Sequence, residues 1–331
     1  MTDYKAMRAK MPQIAEDVVI RDPQVLVDPY FANGDPTLSK AEVEYFKKNG
    51  FIIKRGLLNE PETFKRTVDH LWNNVPREII KRSDPQTWPN APHDQWTEED
   101  GEKLGLFSNG SWKMRSRNGI GTEPFLLDKI GNHPQMINMV SHFIGEPVKR
   151  LQRVRGVYGV FPIPPNTKGQ LAPHADQSAA QLSAMVVVDE IPPHCGGFTV
   201  WPGSHHMIHP HASTIHGPVG QDRAEAYGQA RDQALTDITP IELWGNAGDV
   251  IFWHPRLIHS GGINSSATSP KPVLRLIVPC DYQQDGFTFY DDLIEGPGPN
   301  HQWWVDARNF REDIPATPDN IWHNWAFKIS N

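Results

Sequence analysis

Two histidines, one aspartate and one arginine are the residues whose types and order best support metal chemistry. His174 and Asp176 flank a single alanine, His259 follows much later, and Arg275 lies beyond it. Residues two apart on a strand point to the same face, so His174 and Asp176 can share one ion while another strand supplies His259. Two imidazoles and one carboxylate leave the opposite face of the metal open, which suits non-haem Fe(II) oxygen chemistry. The downstream arginine suggests a dicarboxylate co-substrate.

Other histidines offer alternative ligands. His254 ends an apolar run and is a rival for His259, but His259 is the one followed by a Ser-Gly-Gly turn and by Arg275. A second group of histidines has the density of a zinc site. We interpret this group as a turn leaving a strand and a polar loop, because Pro-Gly-Ser precedes it: His205, His206, His209 and His211.

Composition restricts the class of protein. The chain has 331 residues, 38% of them apolar, and a net charge of −7. Nucleic-acid-binding surfaces are basic and clustered, so we expect no nucleic-acid partner. No apolar run approaches the roughly 20 residues of a membrane span, so we expect no membrane segment. The two cysteines are too few for a disulfide framework, and the polar N-terminus does not resemble a secretory signal, which together favour the cytoplasm. The oligomeric state is left open.

The first half of the chain predicts helices. Ser39 and Glu42 have the spacing of a capping box, Gly50 suits a helix C-terminus, and a strand at 51–54 follows. Residues 60–74 and 128–145 show apolar residues at helical spacing. Residues 76–125 have no periodicity and predict loops and short elements.

The second half predicts strands. Short β-rich runs are separated by glycine and proline clusters, a pattern typical of sandwiches and barrels. The runs lie at 154–161, 184–188, 198–201, 250–253 and 273–278, and a polar, helix-forming insertion lies near 212–237. We expect an N-terminal arm at 1–37, one catalytic domain at 38–281, and an aromatic-rich extension at 282–331 packed on the same domain.

Five segments in order resemble the phytanoyl-CoA dioxygenase family of Fe(II)/2-oxoglutarate oxygenases. Besides the His174-Ala175-Asp176 segment, they are the opening at 38–58, Gly196 to His205, Gly248 to His254 leading to His259-Ser-Gly-Gly-Ile-Asn264, and the strand 273–278 that contains Arg275. The resemblance covers residues 38–280. It implies a mainly β fold with flanking helices, the double-stranded β-helix, which is a jelly-roll and cupin-like barrel.

The resemblance also implies a reaction. His174, Asp176 and His259 are the expected Fe(II) ligands, and Arg275 is expected to hold the distal carboxylate of 2-oxoglutarate. With O2 as the second co-substrate and ascorbate as a supporting reductant, the expected outcome is hydroxylation of a C–H bond with release of succinate and CO2. Related halogenases replace the carboxylate by a small residue, so Asp176 favours hydroxylation over halogenation. No catalytic residue is expected beyond the metal ligands.

The chain departs from the family pattern next to the site. The family's lysine is absent, with Phe161 near its place, and the interval between His259 and Arg275 is longer than usual. Arg155 and Tyr158 are therefore candidate co-substrate contacts. Strand alternation points them to opposite faces unless a bulge intervenes.

The substrate is expected to be a small organic molecule, because the basic residues are too scattered to indicate a coenzyme A thioester. Trp112, Phe161 and Trp201 are candidate pocket residues, and the stretches 90–120 and 212–235 are candidate lids. Two alternatives use the same fold. One is a cupin-like metal enzyme that does not use 2-oxoglutarate, and the other is a non-catalytic barrel that serves as a binding module.

Overall fold

The computed structural model describes residues 13–27, 34–75, 79–91, 106–108, 111–114, 121–176, 180–214, 221–285 and 316–330. Its strands are β1 (Gln24–Val25), β2 (Phe51–Lys54), β3 (Leu106–Ser108), β4 (Ser111–Met114), β5 (Val157–Val160), β6 (Leu182–Val187), β7 (Phe198–Val200), β8 (Ile241–Leu243), β9 (Val250–Trp253), β10 (His259–Gly261) and β11 (Arg275–Tyr282). Its α-helices are α1 (Lys40–Asn49), α2 (Pro61–Asn74), α3 (Pro124–Leu126), α4 (Pro134–Ile144), α5 (Ser204–Ile208) and α6 (Gln221–Asp237).

The strands form two sheets. The larger has the order β2-β9-β6-β11-β5-β4-β3, and the smaller has the order β1-β8-β7-β10. Every neighbouring pair is antiparallel except β1 and β8. Most neighbours are not consecutive in sequence, as in a jelly roll, and the exceptions are β3–β4, β4–β5 and β7–β8. The predicted mainly β fold with flanking helices, a double-stranded β-helix, is confirmed.

Strand alternation separates two cores. Ile251 and Trp253 of β9 join the core between the sheets, together with Phe198 and Val200 of the smaller sheet. Val250 and Phe252 face the other way. There they join the core shared with helices α1, α2 and α4. The larger sheet is therefore buried on both faces, and the space between the sheets is where polar side chains of the site converge.

Local signals position the first helix as predicted. Ser39 accepts from the Glu42 amide at 3.3 Å, and the Glu42 carboxylate accepts from the Ser39 amide at 2.7 Å. Gly50 ends α1 with a φ of 82°, a conformation that favours glycine, and β2 begins at the next residue.

Two predicted elements are shorter than their sequence pattern. The helix expected over 128–145 is split: a π-helical turn covers Leu127–Gly131, and α4 starts at Pro134. Proline cannot donate within a helix but suits its first position, so it begins a new helix. The strand expected from residue 154 starts at Val157, because Gly156 has a φ of 125°. Glycine favours that conformation, which lies outside the β region.

Segments expected to be irregular contain additional structure. Within 76–125, β3 and β4 form a hairpin that extends the larger sheet beside β5. In the segment 13–27, β1 pairs with β8, and the Ala15 amide donates to Asp232 on α6 at 3.0 Å. Near the C-terminus, Trp322 and Trp325 contact Phe46 of α1. The expected tail aromatics Phe287, Phe289, Tyr290, Trp303 and Trp304 lie outside the described residues. None of the described helices has the length and apolarity to span a membrane.

Candidate metal centre

An isolated backbone bridge aligns the two histidines. His174 and His259 form an antiparallel pair in which each amide donates to the other's carbonyl at 2.9 Å. His259 opens β10 in the smaller sheet, whereas the segment of His174 leads towards β6 in the larger. Side chains opposite each other in such a pair lie on the same face, and the two imidazole centroids are 4.5 Å apart.

Asp176 completes the cluster. Its amide donates to the Pro255 carbonyl at 3.0 Å, which fixes the segment two residues after His174. Asp176 Oδ1 lies 3.6 Å from His259 Nε2. One ligand atom from each of His174, Asp176 and His259 lies within 4.8 Å of the other two, and no other group of three or more potential ligands meets this criterion in the described part of the chain.

Backbone carbonyls set the tautomers of both histidines. His174 Nδ1 lies 2.8 Å from the Ala172 carbonyl, and His259 Nδ1 lies 2.9 Å from the Leu257 carbonyl. A carbonyl oxygen only accepts, so each Nδ1 carries the proton and each Nε2 keeps its lone pair. Such hydrogen bonds orient metal-binding histidines and raise their basicity. Both rings are thus prepared to bind a metal ion through Nε2.

Asp176 is buried and surrounded by donors. Arg155 donates to its Oδ1 at 3.1 Å and to its Oδ2 at 3.0 Å, and Trp253 Nε1 donates to Oδ2 at 3.3 Å. Burial alone would raise the pKa of Asp176, but the positive charge of Arg155 and the hydrogen bonds that Arg155 donates outweigh it and hold that pKa well below its usual value. Asp176 therefore carries the charge that a divalent cation requires.

Arg275 lies buried on β11 with no hydrogen-bond or ion-pair partner for its side chain in the described residues. It is 4% exposed, and its Nε is both buried and without a hydrogen-bond partner. Burial lowers the pKa of Arg275 to about 10, and the negative charge of Glu242 opposes this effect. Glu242 accepts the amides of Gly197 and His194 at 3.0 and 3.2 Å. A buried cation left in this state is suited to an anionic ligand.

Arg155 and Tyr158 both face the space between the sheets, although alternation predicts opposite faces. The register Tyr158↔Ile277 would place Gly156 opposite Pro279, but the Arg155 amide donates to the Pro279 carbonyl instead, at 2.9 Å. The irregular backbone at Gly156 supplies the bulge that the sequence analysis required. The Arg155 guanidinium is engaged by Asp176 and Asp281. Tyr158 is buried in the core between the sheets.

The candidate pocket residues are placed differently from the expectation. Phe161 is fully buried in the core beneath the helices, with its ring edge-on to Trp72 at 6.1 Å. Trp201 is fully buried in a third core, beside Tyr227 and Leu235 of α6. Both rings therefore contribute to hydrophobic cores, because large apolar rings are buried wherever neighbouring elements cover them. The side chain of Trp112 lies outside the described residues.

The remaining histidines lie away from this centre. His254 stacks on Trp325 of the C-terminal segment, with centroids 5.5 Å apart and ring planes 14° apart. His205 and His206 each contact the Lys47 carbonyl through Nε2, at 3.0 and 2.8 Å. His209 Nε2 lies 2.9 Å from Asn320 Oδ1. This group is a hydrogen-bonded and aromatic contact between elements, but it lies on α5 and the 3-10 helix after it, not in the polar loop that the sequence predicted.

Sequence reasoning missed two residues that contact the ligand segment and a third that contacts Arg155. Arg256 donates to the Asp176 carbonyl at 2.9 Å, Trp253 reaches the Asp176 carboxylate, and Asp281 binds Arg155. Asp281 had a visible signal, since it is an acid within an apolar strand, as Arg275 is a base within the same strand. No comparable signal marked Trp253 or Arg256.

The donor set fits one hard or borderline divalent cation with open positions. Two neutral imidazoles and one carboxylate converge from one side, and the remaining positions stay available for small ligands. A dicarboxylate co-substrate would find a partner for its far carboxylate in Arg275.

One known protein family matches most of this chain. The family model described as phytanoyl-CoA dioxygenase matches residues 46–272. No curated protein matches the chain. Similar solved structures include the non-haem α-ketoglutarate-dependent carbocyclase SnoK of nogalamycin biosynthesis, at 18% identity and a TM-score of 0.42 over 78% of this chain and 87% of that one.

Two further structures are similar at the same level. HygX from Streptomyces hygroscopicus, with nickel, 2-oxoglutarate and hygromycin B bound, has 14% identity and a TM-score of 0.43 over 76% of this chain and 89% of its own. EctD from S. alaskensis with bound Fe has 15% identity and a TM-score of 0.43 over 91% of this chain and 95% of its own. These scores are too low to support conclusions about this chain.

Proposed function

Since the chain belongs to the phytanoyl-CoA dioxygenase family, we propose that it is an Fe(II)- and 2-oxoglutarate-dependent oxygenase that hydroxylates a C–H bond of a small organic molecule. The observation that carries this proposal is the convergence of His174, Asp176 and His259 on one point. In this proposal the Fe(II) ligands are Nε2 of both histidines and a carboxylate oxygen of Asp176.

Fe(II) bound there, with 2-oxoglutarate and O2 as co-substrates, supplies the oxidising chemistry, in which 2-oxoglutarate is decarboxylated to succinate and CO2 and a substrate C–H bond is hydroxylated. The protein's own contribution is binding and orientation. The carbonyls of Ala172 and Leu257 hold the two rings, and Pro255 holds the backbone of Asp176. The ligands are thereby preorganised on rigid backbone.

Arg275 is the residue we propose for 2-oxoglutarate. Its guanidinium is buried, and among the described residues no carboxylate lies within ion-pairing distance of it. A carboxylate matches the fork of an arginine with two parallel hydrogen bonds, which gives orientation as well as affinity. We propose Tyr158 as a further contact, because it faces the same interior strip of the larger sheet as Arg275 and Ile277.

The rest of the proposal concerns substrate, organisation and location. Asp176 fills the position that a halide would need, which supports hydroxylation rather than halogenation. The catalytic domain corresponds to residues 38–281, with flanking segments 1–37 and 282–331. Both cysteines are free thiols, which suits a reducing cytoplasm.

The test is release of succinate from 2-oxoglutarate. Purified protein supplied with Fe(II), ascorbate, O2 and 2-oxoglutarate should release succinate slowly without substrate and faster when a screen of small organic compounds reaches the right class. Asp176→Ala should abolish the release, because it removes the only anionic ligand. Asp249→Asn is the matched control: Asp249 is also a buried, arginine-paired aspartate, it lies immediately before β9, and it is not one of the three proposed ligands.

Two results would contradict the proposal in different ways. Undiminished succinate release by Asp176→Ala would exclude this residue from the metal site. Tight metal binding without any consumption of 2-oxoglutarate would indicate the cupin-like alternative, a metal enzyme that uses another co-substrate or none.

A further inference from the structure

A buried ion pair lies directly behind the metal-binding carboxylate. Asp281, at the end of β11, accepts from Arg155 NH2 at 2.6 Å and from Arg155 Nε. Ser183 of β6 donates its hydroxyl to Asp281 Oδ1 at 2.7 Å. The Asp281 side chain is 1% exposed. A carboxylate buried to this extent holds its position only with such a set of donors.

Arg155 therefore bridges two carboxylates. Its Nε and Nη2 donate hydrogen bonds to Asp281, and its Nη1 and Nη2 donate hydrogen bonds to Asp176. A bidentate guanidinium uses one lone-pair direction on each carboxylate oxygen and leaves another free. Asp176 Oδ1 lies 3.6 Å from His259 Nε2, so one oxygen of the bridged carboxylate lies beside another metal-binding residue. Arg155 thus fixes the rotation of the Asp176 carboxylate with one oxygen towards both histidines.

Asp281 balances the charge of this arrangement. An arginine whose only counter-ion was Asp176 would compete with a metal ion for that carboxylate, because both are cations that seek the same oxygens. With Asp281 present, the guanidinium has a second and more completely buried partner. Arg155 then neutralises the negative charge of Asp176 only in part, and the carboxylate can still bind a metal ion.

We propose that Arg155 and Asp281, supported by Ser183, form a positioning bracket that orients the Asp176 carboxylate for metal binding. Arg155 is a positioning residue in this scheme and not a contact of the co-substrate. The inference rests on the proposed function, since it assigns these residues a role towards the metal ion of that site.

Geometry and simple charge make different predictions for one substitution. Arg155→Lys keeps the positive charge but replaces the planar fork by a single ammonium, which cannot bridge four carboxylate oxygens. If Arg155 acted only through its charge, metal affinity would not change. If it orients Asp176, the affinity falls and the coordination geometry changes.

The experiment is a titration of the metal-free full-length protein with Co(II), followed by the visible d–d absorption of the bound ion. Arg155→Lys and Asp281→Asn should each weaken Co(II) binding by about 10- to 100-fold, the usual effect of removing a partner of a metal ligand. The shape of the absorption band should change with them. The double variant should be little weaker than either single one, because both act through the same carboxylate.

Two variants accompany the titration. Asp249→Asn disrupts the Arg55–Asp249 pair, whose NH1–Oδ2 distance is 2.7 Å, and should leave Co(II) affinity and the band unchanged. Ser183→Ala removes one hydrogen bond from Asp281 without changing any charge. It should weaken Co(II) binding several-fold. It therefore tests the bracket even if the charge-altering variants fail to fold, which thermal melting would show.

The outcomes separate this inference from the proposed function. If Arg155→Lys folds and binds Co(II) with wild-type affinity and an unchanged absorption band, the bracket is overturned. If Arg155→Lys does not fold, the same result for Ser183→Ala overturns it. Both conclusions hold whether or not the wild-type protein consumes 2-oxoglutarate. Weakened Co(II) binding with no 2-oxoglutarate turnover would support the bracket and contradict the proposed reaction. A wild-type protein that binds no Co(II) would contradict the metal centre, and with it both proposals.

Discussion

Arg275 is a buried arginine whose Nε has no hydrogen-bond partner in the described structure. Replacing it by methionine removes a buried charge that no described residue pairs with, so the co-substrate-free protein should become more stable by about 1 kcal/mol or more. The same change should raise the KM for 2-oxoglutarate by about 10-fold or more, because a charge-assisted pair is lost. Urea unfolding and a succinate-release titration measure the two effects.

A truncated co-substrate provides the control for Arg275. The wild-type protein should use 2-oxobutyrate, which lacks the distal carboxylate, much less well than 2-oxoglutarate, and Arg275→Met should lose most of that preference. Arg55→Met is the matched control. It leaves Asp249 without its ion-pair partner and should destabilise the protein without altering the preference for 2-oxoglutarate over 2-oxobutyrate. An Arg275→Met variant that kept full preference for 2-oxoglutarate would remove Arg275 from the co-substrate site.

The limits of sequence reasoning at this scale are physical. His174, Asp176 and His259 were identifiable because the chemistry of a metal ion restricts residue types, and Arg275 because an arginine inside an apolar strand needs a reason. Arg155 was identified, but its partners were not. They depend on the irregular backbone at Gly156, which turns the side chain to the face that alternation denies it. A single glycine in a sequence does not reveal that rotation.

Elements with a local cause were predicted, and elements with only a tertiary cause were not. The capping box of Ser39 and Glu42 is written in four consecutive residues. Pro134 also carries a local signal, which explains why one apolar pattern gives two helices, but the helix was predicted to run through it. By contrast, β1 has two residues and β10 has three. Strands this short are stabilised by their partners across the sheet, which no local pattern specifies.

The contact between α5 and the C-terminal segment 316–330 makes stability depend on pH. Burial, together with the neighbouring His206 and His209, lowers the pKa of His205 to about 3, although the hydrogen bond with the Lys47 carbonyl opposes the shift. Burial, and then His205, His209, Arg256 and His206, hold the pKa of His254 well below its ordinary value. Between about pH 6.5 and pH 3, His205 binds a proton in the unfolded chain but not in the folded protein. The stabilisation is therefore present above pH 6.5 and lost as the pH falls.

The corresponding prediction concerns the slope of stability against pH. His205→Gln keeps a donor for the Lys47 carbonyl but cannot titrate, so the fall of the unfolding free energy below pH 6.5 should be shallower by up to about 1.4 kcal/mol per pH unit. Urea unfolding at several pH values between 7.5 and 4.5 measures it. His323 is an exposed histidine of the C-terminal segment 316–330, and His323→Gln should retain the wild-type slope. Equal slopes for His205→Gln and wild type would contradict the assignment.

At the scale of the whole molecule, the metal centre joins the two sheets. His259 belongs to the smaller sheet, Arg275 to the larger, and the segment of His174 and Asp176 lies between β5 and β6 of the larger sheet in sequence. The N-terminal segment and α6 pack behind the same ligands, since Ile14 and Val18 contact the core that contains Ala175. A ligand bound at this point would therefore join residues of the two sheets to the core that α6 and the N-terminal segment share.

Ligand-linked stability tests this connection in the intact protein. A saturating metal ion stabilises the folded state in proportion to the logarithm of its excess, about 2.7 kcal/mol at 100 times its Kd. Mn(II) should raise the melting temperature, and an inert 2-oxoglutarate mimic should add a further rise only when Mn(II) is present, because the mimic chelates the ion as well as pairing with Arg275. Differential scanning calorimetry measures both shifts. Asp176→Ala should lose both, and Asp249→Asn should keep both from a lower starting temperature. A mimic that stabilised the metal-free protein as strongly as the metal-bound one would show that the two ligands do not share this site.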